Sequence, residues 1–143
     1  MIFNGRHTAH IEGDFVVFLI GARINRPWQF YKYKWIGDAF NTMLRTLEQN
    51  PEKGYLGGEN FFGFGSRVSV NITYWRSYEA LEKFAHDKND PHLGPWREFN
   101  RRIGNDGSFG IWHETYLVAA NNYEVMYNNM PRFGLARAAE HVK

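Results

Sequence analysis

Arg67-Val-Ser-Val-Asn-Ile-Thr-Tyr-Trp75 alternates strictly, with Val68, Val70, Ile72 and Tyr74 on one side and Ser69, Asn71, Thr73 and Trp75 on the other. A period of two is the signature of a strand whose two faces meet different surroundings. Just before it, Gly63-Phe-Gly-Ser66 is a turn cluster, and Tyr55 to Phe64 is a further extended run, so the pair reads as a hairpin. Just after it, Ser77 is placed to cap a helix through Leu81 and Phe84, with Glu79 and Glu82 early enough to favour the helix dipole.

Working outward, Phe15 to Asn25 reads as a first strand, apolar on both faces at its start, with Arg23 and Asn25 emerging at its end. After Pro27, the apolar residues Ile36, Phe40, Met43, Leu44 and Leu47 recur at helical spacing until Asn50-Pro51 stops them. The Ser77 helix fades at Asp87-Lys-Asn-Asp90. Pro95 suits the first position of another short helix, with Trp96, Phe99, Asn100 and Ile103 inward. Asn105-Asp-Gly107 then turns the chain into a last strand, Gly110-Ile-Trp-His-Glu-Thr-Tyr-Leu-Val118. Residues 1–13 carry no sustained period and read as an arm, and residues 120–143 as a tail that docks on something.

The order strand, helix, strand, strand, helix, strand predicts a single α+β domain, a ferredoxin-like βαββαβ antiparallel sheet with its helices on one face. The first and last strands are apolar on both faces, so the second sheet face needs a cover. Leaving four such side chains wet forfeits roughly 1.5–3 kcal/mol each. A homodimer packing sheet on sheet supplies that cover.

Composition narrows the function. The 143 residues carry a formal charge of only +2, with bases scattered among acids, so no stripe of Lys and Arg is available to neutralise several phosphates, and nucleic acid is not an expected partner. No cysteine is present, which excludes disulfides, thiolate nucleophiles, thiolate-bound haem and iron–sulfur clusters, and fits a cytoplasmic location. Phe15 to Ala22 is the longest apolar run, far short of a membrane span. Lys32 and Lys34 stand among Trp28, Phe30, Tyr31, Tyr33 and Trp35, but the basic cluster is short, and membrane insertion is not expected. Aromatic residues make up 17% of the chain, enough to line an apolar ligand pocket as well as a core. Gly63-Phe-Gly joins strand to strand, so no helix N-terminus is there for a phosphate, and no His-Glu-x-x-His zinc word occurs.

The last strand carries the strongest chemical signal. It reads as fully buried, yet holds His113 and Glu114, two ionisable groups that are costly to bury unless hydrogen-bonded or used. Period two puts Phe109, Ile111, His113, Thr115 and Leu117 on one side and Trp112, Glu114 and Tyr116 on the other. His113 bonded to a core carbonyl and Glu114 paired with Arg23 is the structural alternative to catalysis. His7, His10 and His141 fall in the arms and are expected to be solvated.

Phe18-Leu-Ile-Gly-Ala-Arg-Ile-Asn25, Tyr74-Trp-Arg-Ser77, Pro91-His-Leu with Trp96-Arg and Phe99-Asn-Arg101, Ile111-Trp-His-Glu-Thr-Tyr116 and Tyr127-Asn-Asn-Met-Pro131 together resemble the dimeric α+β barrel superfamily of small antibiotic-biosynthesis-type monooxygenases. More closely, they resemble the family named after the monooxygenase of the fumagillin cluster. The resemblance covers most of residues 8–135 and implies a barrel-forming homodimer with a pocket between sheet and helices. The superfamily includes cofactor-free oxygenases, haem-degrading enzymes and haem-containing aldoxime dehydratases.

The expected catalytic residues are therefore His113, Glu114 and Arg23, a base and an anion-stabilising guanidinium. Asn25, Asn71, Trp75, Trp96, Tyr116 and Asn129 are the candidates for holding a substrate, Asn129 as part of a tail lid with Tyr127 and Asn128. His92 is the candidate haem ligand, with His113 and His86 as the other imidazoles available. The leading expectation is a monooxygenase-type oxidoreductase acting on an apolar aromatic, polyketide-like or terpenoid molecule, with no cofactor required and no metal. A haem enzyme of the same superfamily and a non-catalytic binder of small hydrophobes are the alternatives.

Overall fold

The computed structural model describes residues 1–87, 89, 94–103 and 106–143, apart from the side chains of Tyr33, Pro95, Trp96, Phe99 and Ile103. A four-stranded antiparallel sheet forms its centre, in the order β3 (Tyr55–Gly63), β4 (Val68–Trp75), β2 (Phe15–Ile24), β5 (Phe109–Val118). Helices α1 (Tyr33–Glu48), α2 (Tyr78–His86) and α3 (Gly94–Ile103) complete the expected βαββαβ order. Each boundary signal acts as its chemistry dictates. The Ser77 hydroxyl accepts from the Ala80 amide at 3.1 Å, satisfying one of the donors a helix start leaves open. Ile36, Phe40, Met43, Leu44 and Leu47 are the buried stripe of α1.

The helices lie on the face formed by the even-numbered residues of β2. Val16, Ala22 and Ile24 there join Leu81 and Phe84 of α2 and the α1 stripe in the main core. Because Val16 pairs with Trp75, Phe18 with Thr73, Ile20 with Asn71 and Ala22 with Ser69, the buried side of β4 is its polar side. Ser69, Asn71, Thr73 and Trp75 are at most 2% exposed, whereas Val68, Val70, Ile72 and Tyr74 sit half-buried on the far face.

Two sequence expectations need correcting. Residues 3–10 are not a free arm but a strand, β1 (Phe3–His10), which pairs antiparallel with β6 (Tyr127–Met130) and β7 (Glu140–Val142) in a second, three-stranded sheet. The tail adds a short helix, α4 (Leu135–Ala138). Ala9, Ile11, Phe15, Leu135 and Ala136 make a second core, against which Val17, Leu56, Tyr74 and Val118 pack from the far face of the main sheet. The chain thus covers one end of that face with its own two ends. In this small sheet His7 and His141 are partly buried and stack at 4.7 Å, with Phe3 edge-on to both, so neither is the solvated arm histidine expected.

The second correction concerns β5. Among the described residues it pairs only with β2 and forms an edge of the sheet, so Ile111, Trp112, His113, Glu114, Tyr116 and Leu117 are exposed in the single chain and not buried. Asn100 of α3 is likewise exposed, while the side chains of Trp96, Phe99 and Ile103 lie outside the described residues.

Candidate functional site

Beneath the helices, Phe18, Ile20, Asn71, Thr73 and Trp75 of the sheet face Met43, Leu47, Leu81, Phe84 and Ala85 across a small cavity of about 20 Å³, room for roughly one water. Trp75 is held on both sides by aromatic rings, Tyr55 at 5.6 Å and Phe84 at 5.6 Å. Its indole N–H is committed, donating to Thr73 Oγ1 at 2.9 Å, and the Thr73 hydroxyl donates onward to the Phe18 carbonyl at 3.2 Å. Asn71 is different. It is 0% exposed, and neither Oδ1 nor Nδ2 has a hydrogen-bond partner among the described residues. Leaving such groups unpaired costs about 1–3 kcal/mol each.

His113 stands on the same sheet face. Ile20 pairs with Asn71 on one side and with His113 on the other, which sets the two residues about 10 Å apart across the sheet. Phe18, a cavity wall, lies 5.7 Å from the imidazole, ring to ring. A flat molecule lying over Phe18 and Ile20 would present one end to the amide and the other to the imidazole.

Glu114 points the other way. On the far face it accepts from the Trp112 indole at 3.0 Å and from the Tyr116 hydroxyl at 2.7 Å. These two donors hold its carboxyl below the ordinary range, and the hydrogen bond to Glu114, with its charge, pushes the Tyr116 phenol up. The Trp112 ring lies over Gly21, where an added Cβ would collide with it. Arg23 shares this face and donates to Asn25 Oδ1 at 2.7 Å, with Asn25 in turn donating to the Gly107 carbonyl. The expected Arg23–Glu114 pair is therefore replaced by an Arg23–Asn25 pair at the strand end.

The sequence candidates thus divide into four groups. Asn71, Trp75 and His113 share the helix-side face. Glu114, Tyr116, Arg23 and Asn25 do not line that cavity. Asn129 serves the small sheet, adopting φ 56° and accepting from the Gly5 amide at 2.8 Å. His92 and the Trp96 side chain lie outside the described residues. Thr73 was missed as a site residue, although its place between Asn71 and Trp75 on one strand face was visible. Neither His86 nor His113 lines the cavity, so no described imidazole is placed there as an axial ligand for a haem.

A family model, Monooxygenase af470-like, matches residues 15–135. The chain belongs to this family. It is 30% identical, over 90% of its length, to Monooxygenase af470 of Aspergillus fumigatus, and spans about half, 52%, of that curated relative. In fold it is similar to a conserved protein from Bacteroides thetaiotaomicron, with a TM-score of 0.52, 14% identity, and coverage of 73% of this chain and 97% of that one. It is also similar to SnoaB, a cofactor-independent oxygenase from Streptomyces nogalater, with a TM-score of 0.50, 14% identity and coverage of 72% and 91%. These neighbours carry the same α+β ferredoxin-like fold as this member of the Monooxygenase af470-like family. Among the described residues no helix is long and apolar enough to cross a membrane.

Proposed function

We propose that this Monooxygenase af470-like protein is an oxygenase of small apolar molecules, aromatic, polyketide-like or terpenoid, and that Asn71 holds the oxygen function of its substrate. The carrying observation is the fully buried, unpaired Asn71 amide in an otherwise apolar cavity. The amide N–H donors fit an enolate or phenolate oxygen, and stabilise it more strongly here than in water, because the site lies beneath the helices and away from bulk solvent. His113 is the base on that face and takes a proton from an activated methylene at the end of the substrate opposite the oxygen that Asn71 holds. With no cofactor the substrate supplies the electrons, and a methylene oxidised to a carbonyl balances one dioxygen, one atom retained and the other leaving as water. Entry of a ligand requires α2 to yield, since the cavity at rest admits about one water.

His113→Ala is expected to lower kcat by roughly 10²–10⁴-fold, the usual contribution of a positioned acid–base group. Glu114→Gln, on the opposite face, is expected to leave kcat within an order of magnitude. Oxygen uptake with a panel of naphthols and enolisable ketones measures both, and the reverse ranking would move the chemistry to the far face. A ligand that binds without oxygen uptake would favour the non-catalytic alternative.

The same reading includes a cytoplasmic homodimer. The tail covers the Phe15 and Val17 end of the far face, and its Phe133 ring lies edge-on to Phe61 at 5.9 Å, leaving half-buried Leu19, Val70 and Ile72, with Trp112 at 38% exposure, as the remainder. A second copy seals that remainder. Trp112→Asp is expected to convert a dimer to a monomer in sedimentation velocity at micromolar protein, and a wild type that is already monomeric would remove the dimer from the proposal.

A further inference from the structure

At the end of the sheet away from Trp75, the fold gathers aromatic residues that the sequence leaves far apart. The kinked 3₁₀ segment Pro27–Lys32 supplies Trp28, Phe30 and Tyr31, and the β3–β4 hairpin supplies Phe62 and Phe64. Phe30 lies 5.9 Å from Phe62 and 6.0 Å from Phe64, and Phe62 lies edge-on to Phe64 at 5.0 Å, so three rings make one knob. Its outer surface is wet: Trp28 is 74%, Tyr31 72%, Phe64 70% and Phe30 39% exposed. That leaves on the order of 500 Å² of ring surface in water, at the upper end of what a soluble monomer shows without a use for it. Phe64 sits at the hairpin tip between Gly63 and Gly65, where no core packing calls for an aromatic residue.

The charges around the knob are unbalanced. Arg26, Lys32, Lys34 and Arg67 flank it, against Asp38 and Asp106. Asp106 lies within reach of Arg26 and Lys32, and Arg26 donates to its backbone carbonyl. Lys32 lays its ammonium 5.3 Å over the Phe109 ring, at the edge of the knob.

We propose that this knob docks the protein on the surface of an anionic lipid bilayer. Trp and Tyr favour the interfacial layer of a bilayer, a tip phenylalanine enters the acyl boundary, and a cationic rim meets anionic headgroups. The contact is peripheral and involves no spanning segment. It goes beyond the oxygenase reading and does not depend on it, though it would bring an apolar substrate to the protein in the phase where such molecules collect.

Flotation of the purified chain with phosphatidylcholine vesicles, with and without phosphatidylserine, tests it. Wild type is expected to float with the phosphatidylserine vesicles, to bind neutral ones at least tenfold less, and to be released by added salt. The double variant Trp28→Ala/Phe64→Ser is expected to lose at least tenfold in bound fraction with an unchanged melting temperature, and Lys32→Glu/Lys34→Glu to fall between. Wild type remaining with the unbound protein, equal binding to neutral vesicles, or a double variant that floats like wild type would each overturn the proposal. So would a self-association of the wild type that the double variant abolishes, which would assign the knob to a second copy of the chain.

Discussion

Asn71→Leu is expected to make the protein more stable and less active at once. The amide is fully buried and has no hydrogen-bond partner among the described residues, so the folded state carries a desolvation cost that leucine, with the same branched shape, removes. A gain of about 1–3 kcal/mol follows, which for a domain of this size raises Tm by about 3–10 °C. Loss of the donors that hold a developing oxyanion costs about 10²–10³-fold in kcat. Opposite signs in the two measurements are the mark of a residue kept for chemistry at the expense of stability. A leucine variant that is less stable would mean that the amide is satisfied in the folded protein, and one that retains turnover would mean that the substrate oxygen is held elsewhere.

Leu135→Ala is expected to cost about 2–5 kcal/mol, the range for truncating a buried leucine. Leu135 is 3% exposed and anchors α4 in the second core beside Ala9, Ile11 and Phe15. The effect should reach beyond the tail. Glu59 accepts from both the Gly134 amide at 3.2 Å and Arg137 at 3.0 Å, and Tyr127 accepts from the Ala136 amide, so α4 ties β3, β6 and β1 together. Guanidinium unfolding should show one transition with a lower midpoint. A variant within about 1 kcal/mol of wild type would mean that the tail is an appendage and that the far sheet face depends on another cover.

The contrast between these two residues shows where local sequence carries the answer. The main sheet and its helices were legible because their signals are local: alternation in Val68 to Trp75, the Ser77 cap, the α1 stripe and its stop at Asn50-Pro51. Strand β1 was not legible. Its partners lie more than 115 residues away, Gly5 at φ 80° and a register shift between Phe3 and Arg6 interrupt its period, and only Ala9 within it is buried. The burial of β5 was misread for a related reason, since alternation says which residues share a face and not whether the strand stands in the middle of a sheet or at its edge.

Asn71 and Trp75 share one face of β4 as their spacing predicts, but the sequence could not tell that this polar face was the inward one. Val68, Val70, Ile72 and Tyr74 are the more apolar set and by composition belong inside. Trp75 was the available hint, a large ring on the polar side. That Trp75 spends its N–H on Thr73 while Asn71 spends nothing is a matter of hydrogen-bond geometry, which no spacing encodes.

The side-chain amide of Asn71 can be watched directly in a ¹⁵N–¹H correlation spectrum, assigned by its loss in Asn71→Leu, during titration with 1-naphthol. Expected is a saturable shift of that amide pair together with the His113 ring resonances, and no saturable binding to the leucine variant. Saturable binding of 1-naphthol that leaves the Asn71 pair unmoved, or that persists in the leucine variant, would contradict the assignment of this amide as the group that receives the substrate.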